Sequence, residues 1–105
     1  MSSEDRRQQL DAEFARLFAA LRQCEEGDAA GALSFAIAQA EHLVKYGEWG
    51  IALENLCDNL YEDGTIRSLP EAVYAQIVAF ARFMSIDGRY YELLRGLVRA
   101  PTPSS

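Results

Sequence analysis

Histidine, cysteine and proline are scarce in this chain, with one, two and three residues in 105, and each scarcity narrows what the protein can do. His42 is the lone imidazole, with no Cys, Asp or second His at ligand spacing on its helix face. No catalytic or metal-binding constellation is therefore expected, and a lone helical histidine is usually a surface or satisfied residue. Cys24 and Cys57 form no Cys-x-x-Cys pair. Both sit in apolar helical contexts and read as free, buried thiols of a reducing compartment. No glycine-rich loop follows a strand, so the familiar phosphate cradles are missing. No apolar run approaches the ~18 residues of a membrane span, and Arg6 and Arg7 are followed by polar residues, unlike a signal peptide. The compartment expected is the cytoplasm.

Basic residues are also short: 10 Lys and Arg against 16 Asp and Glu give a net charge of −6 and a pI near 4.7. Proteins that grip nucleic acid or anionic membranes usually carry a basic face. Neither is expected as a direct partner here, whereas a basic protein surface would be drawn in. No segment alternates with period two for more than a few residues, which leaves helices.

Half of the residues are apolar and a quarter charged, enough for one modest core. Leu10, Phe14, Leu17, Phe18 and Leu21 recur at threes and fours and predict a first helix from about Glu4 to Glu25, stopped by Gly27. Asp28 stands where an N-cap belongs for a second helix, about Ala29 to Tyr46. That helix carries Leu33, Phe35, Ile37, Ala38, Ala40, Leu43 and Val44, apolar around much of its circumference, and is expected to be the most central. Gly47 ends it, and a third helix follows from Glu48 to Glu62. Gly64 to Arg67 reads as a turn, and Pro70 opens a fourth helix to Met84 on Val73, Tyr74, Ile77, Val78, Phe80 and Ala81. Asp87 can cap a fifth, Gly88 to Arg99, in which one of Tyr90 and Tyr91 faces the core and the other solvent. The fold expected is all-α, a compact bundle of four to five antiparallel helices. Residues 1–99 form its single domain, and 100–105 a disordered Pro/Ser tail. The Gly-acid-x-x-x-Ala-Leu pattern at both Gly27 and Gly47 is a faint echo that helix starts after glycine often produce.

The third helix has two faces. Trp49, Leu53 (or Ala52), Leu56, Cys57 and Leu60 make an apolar stripe, while Glu54, Asp58 and Glu62 stack every fourth residue along another ridge. Like charges at that spacing cost ~0.2–0.5 kcal/mol per pair, and no Lys or Arg lies between Glu48 and Ile66 to offset them. By composition alone the ridge is a solvated face that keeps a small protein soluble. Tyr61 beside it has two readings, a cap on the core with a wet hydroxyl or an interface anchor.

Several stretches together resemble MafI-type immunity proteins over about Glu41 to Leu94. They are Tyr46-Gly47-Glu48 and Ala52-Leu53-Glu54-x-Leu56-Cys57-x-x-Leu60-Tyr61-Glu62. Downstream come Pro70-Glu71-x-x-Tyr74-x-x-Ile77, Met84-x-Ile86-Asp87 and Tyr91-x-x-Leu94. Such proteins are small and cytoplasmic, and accompany bacterial polymorphic toxins, including those of contact-dependent growth inhibition. The Ala-rich second helix departs from the pattern, and residues 1–40 have no counterpart in it. The resemblance implies binding without catalysis and without a cofactor, by a monomer or weak homodimer. Its partner would be a cognate toxin with a basic surface, such as a nuclease groove. Glu54, Asp58, Glu62 and Asp63 would then be the charge contacts, with Asn55, Asn59 and Tyr61 adding hydrogen bonds and packing. In a second resemblance, Gly47-x-Trp49-x-x-Ala52-Leu53 is similar to the turn of a tetratricopeptide unit. That implies a helical-repeat-like interaction module without a toxin, although such arrays need about three units and one is found at best.

Overall fold

The computed structural model describes residues 3–98. Arg99 and the Pro/Ser tail lie outside them. Five α-helices follow in order: α1 Ser3–Arg22, α2 Ala32–Lys45, α3 Trp49–Tyr61, α4 Glu71–Phe83 and α5 Gly88–Glu92, which runs into a 3-10 helix, Leu93–Leu97. The described residues form an all-α bundle with no strand, only two isolated bridges.

Apolar spacing explains α1. Leu10, Phe14, Leu17, Phe18 and Leu21 are all buried, and the Phe14 ring meets Phe80 of α4 edge-on, with centroids 4.7 Å apart. Burying a ring this completely contributes about 2–3 kcal/mol. α2 and α3 form an antiparallel hairpin on Gly47. Its φ of +77° lets the Gly47 amide donate to Val44 and the Glu48 amide to Leu43, closing the helix end with a paired reverse turn. α4 closes in the same way, but with Ser85 in the left-handed region at φ 59°. Asp87 caps α5 as expected, its carboxylate accepting from the Arg89 amide at 3.0 Å.

Several expectations need correction, among them the fifth helix, which stops at Glu92 and passes into the 3-10 helix, and Cys24, which is only half-buried. The central helix is α3, whose Ala52, Leu53, Leu56, Cys57 and Leu60 are at most 1% exposed, whereas α2 turns Phe35 and Ala38 outward. Asp28 does not cap α2, because Gly31 holds that position with a φ of +77° and no side chain caps the helix. Gly64 to Arg67 is more than a turn, since Thr65 and Ile66 are buried, as is Leu69 just beyond them. The segment runs antiparallel to the α1–α2 linker: Gly27 donates to Thr65, Ala29 to Gly64 and Arg67 to Glu25. Leu69 then donates to Leu97 at 2.9 Å. Tyr90 and Tyr91 are both half-buried, so neither is the lone surface residue.

The linker pairing also removes the sequence echo. Gly27 lies within a backbone ladder and Gly47 at a helix end, two unrelated geometries.

Candidate functional site

With its inner stripe buried, α3 presents the opposite face outward. By the 3.6-residue period Asp58 and Ile51 lie near the middle of that face. Glu54 and Tyr61 lie on the flank toward α5, and Asn55 and Asn59 on the flank toward α2. Ile51, Asp58, Tyr61, Glu62 and Asp63 are exposed; Glu54, Asn55 and Asn59 are half-buried.

These residues do not all have the same freedom. Asn59 donates through Nδ2 to Oε1 of Gln39 on α2 at 3.2 Å and to Oδ1 of Asn55 at 3.1 Å, so the two asparagines are tied into the α2–α3 seam. Glu54 lies within electrostatic reach of Arg89. The pKa of that guanidinium is raised chiefly by its hydrogen bond to the Tyr90 hydroxyl, with the charges of Asp87 and Glu54 acting in the same direction. No salt bridge joins Glu54 to Arg89 among the described residues. Asp58, Glu62 and Asp63 have no salt bridge among the described residues.

Their placement runs against the helix. α3 has no acidic residue in its first turn and no basic residue in its last, and its C-cap is Glu62. Asp58, Glu62 and Asp63 therefore crowd the negative end of the macrodipole, where each anion costs about 0.3–1 kcal/mol. The charges also act inward. Cys57 is pushed up to about 12, first by burial and then by Asp58 and Glu54, which makes it an inert thiol.

Next to the ridge lies a feature that sequence reading passed over. Along α2 and its C-cap, Phe35 (61% exposed), Ala38, His42 and Tyr46 (67%) line up at threes and fours, and Ile51 (53%) stands across the hairpin. His42 and Tyr46 stack edge-on with centroids 5.0 Å apart. Phe35, Ala38, Gln39, His42, Leu43 and Asn55 line a groove of about 420 Å³. The signal was present in the spacing, since Phe35 and Ala38 fall opposite Leu33, Ala36, Ile37 and Ala40. The alanine-rich composition hid which side faced inward.

Among the described residues no group of three or more His, Cys, Asp and Glu side chains could hold a metal ion, and no helix is long and apolar enough to cross a membrane. What the hairpin face offers is a surface: carboxylates with no salt bridge among the described residues, beside exposed aromatic and aliphatic side chains. No family model, no curated protein and no solved structure matches this chain.

Proposed function

We propose that the protein is an immunity-type inhibitor, which binds a cognate toxin domain with a basic surface and blocks it, without catalysing a reaction. The observation that carries this reading is the charge of α3, set against its own dipole and left without countercharge at Asp58, Glu62 and Asp63. Such a ridge costs the helix stability, which contact with the cations of a partner would recover.

Binding would combine two parts of the hairpin face. Asp58 near the end of α3, Glu62 at its C-cap and Asp63 just beyond would attract the basic groove of a nuclease as a cluster of exposed carboxylates that stands in for phosphates. Phe35, Tyr46, Ile51 and Tyr61 would supply the aromatic and aliphatic anchors that carry most of the energy in protein interfaces. Glu54 is half-buried and would contribute less than the exposed carboxylates, and Asn55 and Asn59 hold the hairpin in register. The resemblance of residues 41–94 to MafI-type proteins points to the same partner class.

The test is co-expression with the protein encoded immediately upstream, scoring growth rescue and co-purification. Wild-type protein should rescue growth and co-purify with the toxin. The double variant Asp58→Lys/Glu62→Lys should do neither while keeping its helical circular dichroism. Rescue by the folded double variant would remove the ridge from the interface.

A further inference from the structure

At the other end of α3 the character of the surface reverses. A cleft of about 630 Å³ opens there, lined by Glu4, Arg6, Arg7, Leu10, Trp49 and Met84. The guanidinium of Arg7 lies 5.6 Å from the centroid of the Trp49 ring, and that of Arg6 lies 5.7 Å from the Phe83 centroid. Trp49 itself is fixed, because its Nε1 donates to Oδ1 of Asp11 at 3.0 Å. Neither arginine forms a salt bridge among the described residues, although the chain has 16 Asp and Glu and Arg16, Arg22 and Arg67 all find carboxylates.

We propose that this cleft binds a small organic monocarboxylate with an aromatic or aliphatic body. A guanidinium held over an aromatic face keeps its in-plane N–H groups available, and those match a planar carboxylate two at a time. Leu10, Trp49 and Met84 provide the apolar lining beneath them, and the volume falls in the range of about 300–1,000 Å³ usual for ligand pockets. The positive end of α3 reaches the same space through Trp49 and Gly50, adding to the attraction for an anion without creating it. Glu4 on the lining repels a second negative charge. Two arginines against one glutamate leave a single net positive charge, which one carboxylate neutralises and a phosphate dianion exceeds.

The chain carries one tryptophan, and it lines the cleft, so its fluorescence reports this site alone. The probes are 1-naphthoate, the neutral 1-naphthalenemethanol and the dianionic 1-naphthyl phosphate, titrated against the full chain with calorimetry as a second readout. Saturable quenching by 1-naphthoate is expected, with the alcohol and the phosphate each at least about tenfold weaker. Arg6→Gln/Arg7→Gln should weaken naphthoate binding about tenfold or more and leave the alcohol unchanged, whereas Glu4→Gln should tighten phosphate binding. The proposal fails if naphthoate does not saturate by about 10 mM, if the alcohol binds equally well, or if the folded double variant keeps its affinity. Should that variant not fold, Glu4→Gln at its exposed position decides, and unchanged phosphate affinity overturns the assignment. The site lies at the opposite end of α3 from the acidic ridge, so its failure would leave the proposed toxin binding standing.

Discussion

Gly27 and Gly64 cross so closely that their lack of side chains is structural. A Cβ on Gly27 would lie 2.9 Å from Gly64 Cα and closer still to its carbonyl, which is backbone and cannot rotate away. Gly27→Ala should cost about 1–3 kcal/mol, read from urea midpoints, because the two segments must separate to admit one methyl. Gly31 is different: nothing lies within 4 Å of a Cβ there, so alanine meets only the strain of a φ of +77°, about 1 kcal/mol. If the two variants were equally destabilised, the crossing would not be tight. Sequence reading found Gly27 as a helix stop and missed this role, since the atoms that require glycine come from residue 64.

Cys57 gives the chain an alkaline weakness. Its thiol is pushed from 9.0 up to about 12 in the folded protein, so folding favours the protonated form. Below pH 9 both folded and unfolded chains hold the proton and this contribution is fully present. Between about pH 9 and 12 the unfolded chain ionises first and the contribution is progressively lost, at most about 4 kcal/mol in all. Urea midpoints should fall more steeply above about pH 9 for wild type than for Cys57→Ala. Parallel curves would show that the thiol ionises freely in the native state.

Among the elements, α3 makes an unusual prediction: the substitutions that destroy binding should stabilise the fold. Replacing Asp58 and Glu62 by lysine removes two anions from the negative end of the helix and puts cations there. Each change is worth about 0.3–1 kcal/mol, and thermal melts should shift upward. A lower melting temperature for the folded double variant would mean that the ridge has a structural partner. Glu54→Lys should not share the gain, because residue 54 lies in the middle of α3, away from its negative end.

The helices were legible in sequence to different degrees. The stripe of α1 and the inner face of α3 could be read directly, since period and burial coincide. The start of α2 could not. Gly27 and Asp28 look like a helix start, yet the amides of Gly27 and Ala29 are taken by Thr65 and Gly64, and the helix begins at Ala32. Pairing between distant backbones leaves no local signature. The 3-10 turn at Leu93–Leu97 was hidden similarly, its path bent by the bond from Leu69 to Leu97. The ridge was visible as a pattern, but not that Glu54 would be half-buried while Asp58 and Glu62 stay exposed.

At the scale of the molecule, the charges sort along α3. The arginine cleft lies at its start and the carboxylates at its end, in a chain whose net charge is −6. Encounter with a basic partner should be steered by the acidic end, so the association rate should fall as salt rises from 0.1 to 1 M and the screening length shrinks from about 10 to 3 Å. A rate independent of salt in stopped-flow mixing would assign docking to Phe35, Tyr46 and Ile51 instead.

The pairing of residues 64–67 with the α1–α2 linker also bears on the order in which the protein comes into being. A chain emerging from the ribosome completes α1 and α2 early, but the linker between them cannot settle until residues 64–67 arrive some 40 positions after Gly27. Leu69 in turn waits for Leu97, almost at the end of the described chain. The backbone ladder thus closes late, and the first half of the protein cannot reach its final register by itself. A fragment ending after α3 keeps its helical pattern and lacks the closure, so the unit of folding extends from α1 at least to Leu97.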